Sequence, residues 1–220
     1  MKKILLIMMV AMLCAATANA QIKFGAKAGV NLSSLSDVKA EEAGASLSIF
    51  ESDGMLAGFH VGGFVNFSFG QYIGLQPELL FSMQGGTQKL NPHIYDDFAM
   101  DITLDYINIP ILVDIKPFAN FSVLVGPQIG FNMYKSISSG GETMSGSDFD
   151  KAFEEEFGKS PFKSLDFAAV IALQYTFIEH LTVGARYNIG LTNAFSISES
   201  GASAKGWKNN VFQLSVGWTF

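Results

Sequence analysis

The sequence predicts an all-β fold, a closed eight-stranded antiparallel up-and-down transmembrane β-barrel. Three observations support it: an export signal at the start, period-two alternation in eight segments, and connections that alternate short and long.

The first twenty residues come first. Lys2 and Lys3 precede the apolar run Ile4 to Leu13, and Ala18-Asn19-Ala20 offers small residues at the positions a signal peptidase reads, so cleavage is expected between Ala20 and Gln21. The run is too short to cross a hydrocarbon core of about 30 Å as a helix. Cys14 is preceded by Leu13, where a lipidation signal requires a small side chain, which argues against a lipoprotein. Domain organisation then reads as signal 1–20 and one barrel domain 21–220. The expected mature chain has no cysteine, so the fold is stabilised without disulfides.

Composition narrows the class. After Lys2 and Lys3 are removed, 12 basic residues face 20 acidic ones, and the basic footprint of a nucleic-acid partner is missing. Hydrophobic residues make up 49%, aromatic ones 13% and charged ones only 15%, against about a quarter charged in ordinary soluble domains. No apolar run after Ala20 is long enough for a membrane helix, so the apolar residues must sit in a core or at alternate, lipid-facing positions of strands.

Alternation favours the second arrangement. In the first segment Ile22, Phe24, Ala26, Ala28 and Val30 oppose Lys23, Gly25, Lys27, Gly29 and Asn31. From Met55 to Gly70, Ala57, Phe59, Val61, Val65, Phe67 and Phe69 oppose Gly58, His60, Gly62, Asn66 and Ser68, and Gly70-Gln71 reverses the chain. From Tyr72 to Gln84, Ile73, Leu75, Pro77, Leu79, Phe81 and Met83 oppose Tyr72, Gly74, Gln76, Glu78, Ser82 and Gln84, with Leu80 breaking the pattern. The fourth sets Ile107, Ile109, Ile111, Val113 and Ile115 against Tyr106, Asn108, Pro110, Asp114 and Lys116; the fifth turns Val123, Val125, Ile129, Phe131 and Met133 outward. The sixth and seventh form a hairpin around Glu179-His180, with Leu165 to Phe177 and Leu181 to Leu191 placing every second residue toward lipid. The eighth ends the chain with Phe212, Leu214, Val216, Trp218 and Phe220 outward.

The links near Gly70, Pro117 and Glu179 are a few residues long. Ser33 to Gly54, Gly85 to Met100, Lys135 to Lys163 and Asn193 to Lys208 are long. Short periplasmic turns and long external loops would explain this sorting and would leave both mature termini in the periplasm. Aromatics near the short turns (Phe67, Phe69, Phe118, Phe121, Tyr175, Phe177, Trp218) and near the long links (Phe81, Tyr134, Phe195, Trp207) would form two interfacial girdles.

Motifs now carry a resemblance. Leu75-Gln76-Pro77-Glu78-Leu79-Leu80-Phe81, Leu104-Asp105-Tyr106-Ile107-Asn108-Ile109-Pro110, Val125-Gly126-Pro127 and Ala185-Arg186-Tyr187-Asn188-Ile189-Gly190-Leu191-Thr192 resemble the recurring motifs of the PorT-like outer-membrane barrel family. The resemblance implies the barrel fold over nearly all of the mature chain. Some such proteins are tied to a secretion system of the envelope, and the resemblance permits that role without assigning it.

Catalytic chemistry is sparse. His60 faces the lumen, but no nucleophile, base and acid share a recognisable spacing, so an enzyme is not expected and a hydrogen-bonded lumen histidine is. His93 and His180 match no zinc spacing. Asp148, Asp150 and Glu154 to Glu156 lack the glycine and ligand spacing of a calcium loop, and a short helix through Phe149, Phe153 and Phe157 is expected instead. No cofactor or metal is expected.

The lumen is the candidate site. Lys23, Lys27, Lys116 and Arg186 would share it with Glu78, Asp114 and Asp166, and opposite charges should pair because an isolated buried ion is costly, with Glu78 or Asp166 as the partner of Arg186. Such a cluster can plug the bore or form a selectivity ring, and eight strands leave little free bore. Three roles follow: a structural or adaptor barrel whose loops meet an envelope partner, a small channel, or a lipid-modifying enzyme. The first is favoured. The terminal strand, with Phe212, Leu214, Val216, Trp218 and Phe220, is also expected to serve as the handle for the barrel assembly machinery, since a free strand edge can be captured by β-augmentation.

Charge on the outward face should be disallowed. Ile111→Arg or Ile171→Arg is expected to destabilise the barrel by about 2–4 kcal/mol at the bilayer midplane, and Gln128→Arg by less. Heat-modifiable gel mobility reads the difference, and equal tolerance on both faces would indicate a soluble sheet.

Overall fold

Backbone N–H and C=O groups in hydrocarbon have no water to bond, so strands that cross a bilayer must pair on both sides. The computed structural model, which describes residues 21–42, 45–91, 99–157, 163–199 and 202–220, meets that requirement. The expected signal segment and His93 lie outside the described residues.

Among the described residues twelve strands run in chain order: β1 Gln21–Leu35, β2 Val38–Glu42, β3 Ala45–Phe69, β4 Ile73–Leu90, β5 Ala99–Phe118, β6 Phe121–Ser139, β7 Glu142–Ser145, β8 Leu165–Thr176, β9 Leu181–Gly190, β10 Phe195–Glu199, β11 Ala202–Gly206 and β12 Asn209–Thr219. Eight of them, β1, β3, β4, β5, β6, β8, β9 and β12, form an antiparallel ring. The ring closes because β1 pairs with β3 on one side (Gln21 with Ser68 through Ser33 with Leu56) and with β12 on the other (Gly25 with Thr219 through Leu35 with Asn209).

The predicted alternation holds around the ring. Ile22, Phe24, Val30, Leu79, Ile111, Val113, Ile171, Leu173, Leu214 and Val216 are exposed, whereas Lys27, Asn31, His60, Glu78, Asn108 and Gln213 are buried. The inner face is less polar than the sequence suggested. Leu80, the outlier of its segment, points inward, and Leu112, Leu124, Val170 and Ala172 form a buried apolar cluster in the lumen. Tyr72 does not join that face: it sits in the turn before β4 and is exposed.

The long connections are the main departure. Their described residues are largely strand and helix rather than loop: β3, β4, β5 and β6 continue into them, and β2 pairs with β3, β11 with β2 and β10 with β11 as an extension of the same sheet. After β6 come β7 and a helix Gly146–Phe157, as expected for Phe149, Phe153 and Phe157. At this end the inner face becomes apolar, and Leu35, Val38, Met100, Ile102, Leu104, Tyr106, Ala194, Phe195 and Trp207 form one core. Phe195 and Trp207 are therefore not girdle residues. Their rings pack together at 4.8 Å between centroids, and a buried aromatic contributes more by filling this cap than by lying at an interface.

Glycine is required at the seam where the ring closes. At Gly29, on β1 between its two partners, a Cβ would lie 1.9 Å from the Leu214 carbonyl oxygen and 2.7 Å from the His60 ring. Backbone cannot yield there without opening the seam. Gly29→Ala should cost about 1–3 kcal/mol, the usual range for overpacking, and shift the heat-modifiable transition downward. An unchanged transition would show that the seam tolerates a methyl group.

Candidate functional site: the charged lumen

Period-two alternation sends one residue in two from every ring strand into the bore, and a bore this narrow forces those side chains together. The main-chain register decides which ones meet.

At the middle level Glu78 of β4 lies between two cations. Lys27 Nζ of β1 is 2.6 Å from Glu78 Oε2, and Arg186 Nη2 of β9 donates to both carboxylate oxygens at 2.8 and 2.7 Å. Gln76 Nε2 donates to Glu78 Oε1 at 2.8 Å. The Glu78 side chain has no solvent exposure, against 8% for Lys27 and 7% for Arg186. The Lys27 ammonium also lies 5.9 Å from the Phe64 ring centroid. Phe64 in turn occupies the space left by Gly25, where a Cβ would meet its ring at 2.2 Å. Burying two positive charges and one negative charge costs several kcal/mol per ion, which strong, charge-assisted bonds on one carboxylate largely offset.

Toward the short-turn end the network continues through neutral amides. Asn66 Nδ2 donates to Gln76 Oε1 at 2.9 Å and to Asp114 Oδ2 at 2.8 Å, and Lys116 sits 3.3 Å from Asp114 and donates to Ser68 Oγ at 2.7 Å. A polar vestibule of about 410 Å³ opens here, lined by Lys23, Asn66, Asp114, Lys116 and His180. Toward the other end, Asn31 is the hub. Its Oδ1 accepts from His60 Nδ1 at 2.7 Å and from Gln213 Nε2 at 2.9 Å, while its Nδ2 donates to Ser82 Oγ at 3.0 Å. Gln84 donates to Ser82 Oγ at 2.8 Å and accepts from Asn209 Nδ2 at 2.5 Å.

The seven charged residues expected in one cluster thus fall into four places. Lys27, Glu78 and Arg186 meet; Asp114 and Lys116 pair nearer the short turns. Lys23 is exposed at the vestibule rather than in the shared bore, because β1 reaches the rim there. Asp166 is held by Thr192, whose hydroxyl donates to it, and not by Arg186. The hairpin register explains this: Arg186 faces Ala172, while Asp166 lies beyond Ala168 and its partner Gly190. Neutral residues were missed as site members, above all Asn31, Gln76, Gln84 and Gln213. Their inward parity was readable, but amides carry no charge to single them out. His60, bonded to Asn31, is a hydrogen-bonded lumen histidine.

A closed ring with an apolar outer face and a hydrogen-bonded, charged interior defines a β-barrel of the outer membrane. The chain belongs to the family described as outer membrane protein beta-barrel domain, which it matches over residues 16–196. It is an integral outer-membrane protein. Among solved structures it is similar to the attachment invasion locus protein Ail of Yersinia pestis (15% identity over 91% of this chain and 99% of that one, TM-score 0.44). It is also similar to the Neisserial surface protein A (14%, 89% and 95%, 0.44) and to OprG of Pseudomonas aeruginosa (10%, 90% and 95%, 0.46). No curated protein matches it in sequence.

Removing the central anion should be the most damaging change in the bore. Glu78→Ala leaves Lys27 and Arg186 buried together without a counter-charge and should cost about 3–5 kcal/mol. Lys27→Met should cost less, because Arg186 still neutralises Glu78. Urea titration of the detergent-folded barrel, followed by tryptophan fluorescence, measures both. An Glu78→Ala midpoint equal to that of wild type would remove the triad from the stabilising interactions.

Proposed function

We propose that this protein is a non-conducting outer-membrane barrel with a structural or adaptor role, whose long-connection end presents a preformed binding surface to an envelope partner outside the cell. Both mature termini then lie in the periplasm, after removal of residues 1–20 between Ala20 and Gln21. The observation that carries the reading is the bridge from Lys27 through Glu78 to Arg186, which spans the bore on a carboxylate with no exposure. With Phe64, Leu80 and the amide network on either side, the bore is filled by packed side chains, as expected for a ring of eight strands. The other end favours presentation: its connections share a buried core, so the surface they form is already ordered before a partner binds.

The resemblance of the four strand motifs to PorT-like barrels makes a link to envelope secretion the first partner class to test. Biogenesis on this reading uses the terminal strand, with Phe212, Leu214, Val216, Trp218 and Phe220 captured by the barrel assembly machinery before β12 closes on β1. A small channel is the alternative, supported by the polar vestibule.

Planar-bilayer recording separates the two. Wild-type protein should give no resolved current steps, and deletion of residues 146–157 should abolish binding of a co-purifying envelope protein while the barrel remains folded. Discrete wild-type conductance would overturn the plug.

A further inference from the structure

Three lysines surround one hollow at the long-connection end. Lys39 of β2 and Lys205 of β11 are direct cross-strand partners, so their side chains leave the same face of the sheet. With Lys208, Ser36, Asp37 and Asn193 they line a cavity of about 450 Å³. All three lysines are exposed, and none makes an ion pair within the described residues. Like charges set directly opposite each other weaken a strand pair, so this pairing is not explained by sheet stability. Asp37, whose Oδ1 accepts the Ser52 N–H at 2.9 Å, is the carboxylate of the lining, so three cations face one anion around the hollow. The Lys163 N–H bonds to Ala194 O at 2.9 Å, which brings the backbone of a fourth lysine next to Asn193.

The backbone that sets these lysines is strained and held. Trp207 has a φ of 60°, an outlier for a bulky residue, and its indole is buried in the end core. Four bonds fix the turn: Ser36 N–H to Lys208 O at 3.0 Å, Trp207 N–H to Ser36 O at 3.3 Å, Lys208 N–H to Ser36 Oγ at 2.9 Å, and Ala194 N–H to Trp207 O at 3.2 Å. At Gly206 a Cβ would lie 2.5 Å from Asp37 O, so β11 is pressed against the start of β2. Strain that the surroundings over-determine points to a placed feature. What this turn places is Lys205 and Lys208, beside Lys39.

We propose that Lys39, Lys205 and Lys208 bind a sugar or cyclitol headgroup carrying two or more phosphates. Separate ammonium groups suit phosphates on different ring positions, because each lysine acts as a point charge without the fixed fork of arginine. The cavity has room for a single ring, and Ser36 Oγ and Asn193 offer hydroxyl partners. Such a group could arrive as a soluble polyphosphate or as the headgroup of lipopolysaccharide in the outer leaflet. The second source rests on the orientation proposed above; the first does not.

The test uses the full mature barrel in detergent micelles at low salt, with inositol hexakisphosphate as soluble probe and purified lipopolysaccharide in mixed micelles as the lipid probe. The triple variant Lys39→Gln/Lys205→Gln/Lys208→Gln should bind about tenfold or more weakly than wild type. Lys39→Arg/Lys205→Arg should keep binding, and Lys89→Gln/Lys151→Gln, which removes charge elsewhere, should leave it unchanged. Heat-modifiable mobility checks that each variant is folded. Selective loss with the soluble probe assigns a soluble ligand, and selective loss with lipopolysaccharide alone assigns the lipid headgroup. No saturable binding of either probe, or equal loss in the Lys89/Lys151 variant, overturns the site. Protease-accessible short turns on intact cells, with binding in micelles retained, would remove the orientation and the lipopolysaccharide source while leaving the soluble one.

Discussion

The structure depends on closure of the strand ring. In hydrocarbon an unpaired peptide group costs several kcal/mol, so no strand can be left with a free edge, and β1 must find both β3 and β12. The last ladder contact, Phe220 N–H to Phe24 O at 2.8 Å, joins opposite ends of the described chain. Closure then dictates the rest. It fixes which side of each strand faces lipid, it limits the bore to side-chain width, and it requires Gly29 where two strands crowd the third.

Within that narrow bore, electrostatics and packing are one problem. Glu78 pairs with two cations from strands on different sides of the ring, and its neighbours extend the bonding in both directions without a further full charge at the centre. Asn31 and Gln213, 182 residues apart, share a bond that exists only when the ring is closed. The interior is therefore a record of correct strand register: a slip of one residue would send Glu78 to the lipid and leave Lys27 and Arg186 buried alone.

The transmembrane part was legible because period two is the simplest signal a sequence can carry, and the membrane enforces it without compensation. Ile111, Ile171 and Leu214 could be assigned to lipid from parity alone. Partner choice in the lumen was only half legible. Parity turned Glu78, Asp166 and Arg186 inward, but distance along the barrel axis depends on register, and the β8–β9 register carries Asp166 away from Arg186. The long connections were misread for a different reason. Segments such as Val38–Glu42 and Ala202–Gly206 are short and mix charged with small residues, so they show no strand pattern until β3 gives the first an edge and the first gives one to the second. Trp207 and Phe195, read as interface aromatics from their positions near strand ends, are buried by contacts that no local pattern announces.

The apolar core at the long-connection end divides the molecule into two bodies of unlike solvent. The ring is held by lipid outside and polar contacts inside, whereas the end cap is a small water-facing domain with its core around Tyr106 and Trp207. Each half opens against a different resistance. Local loosening of the cap would expose the amides of β2, β10 and β11 before those of β8 and β9, which wait for the ring itself.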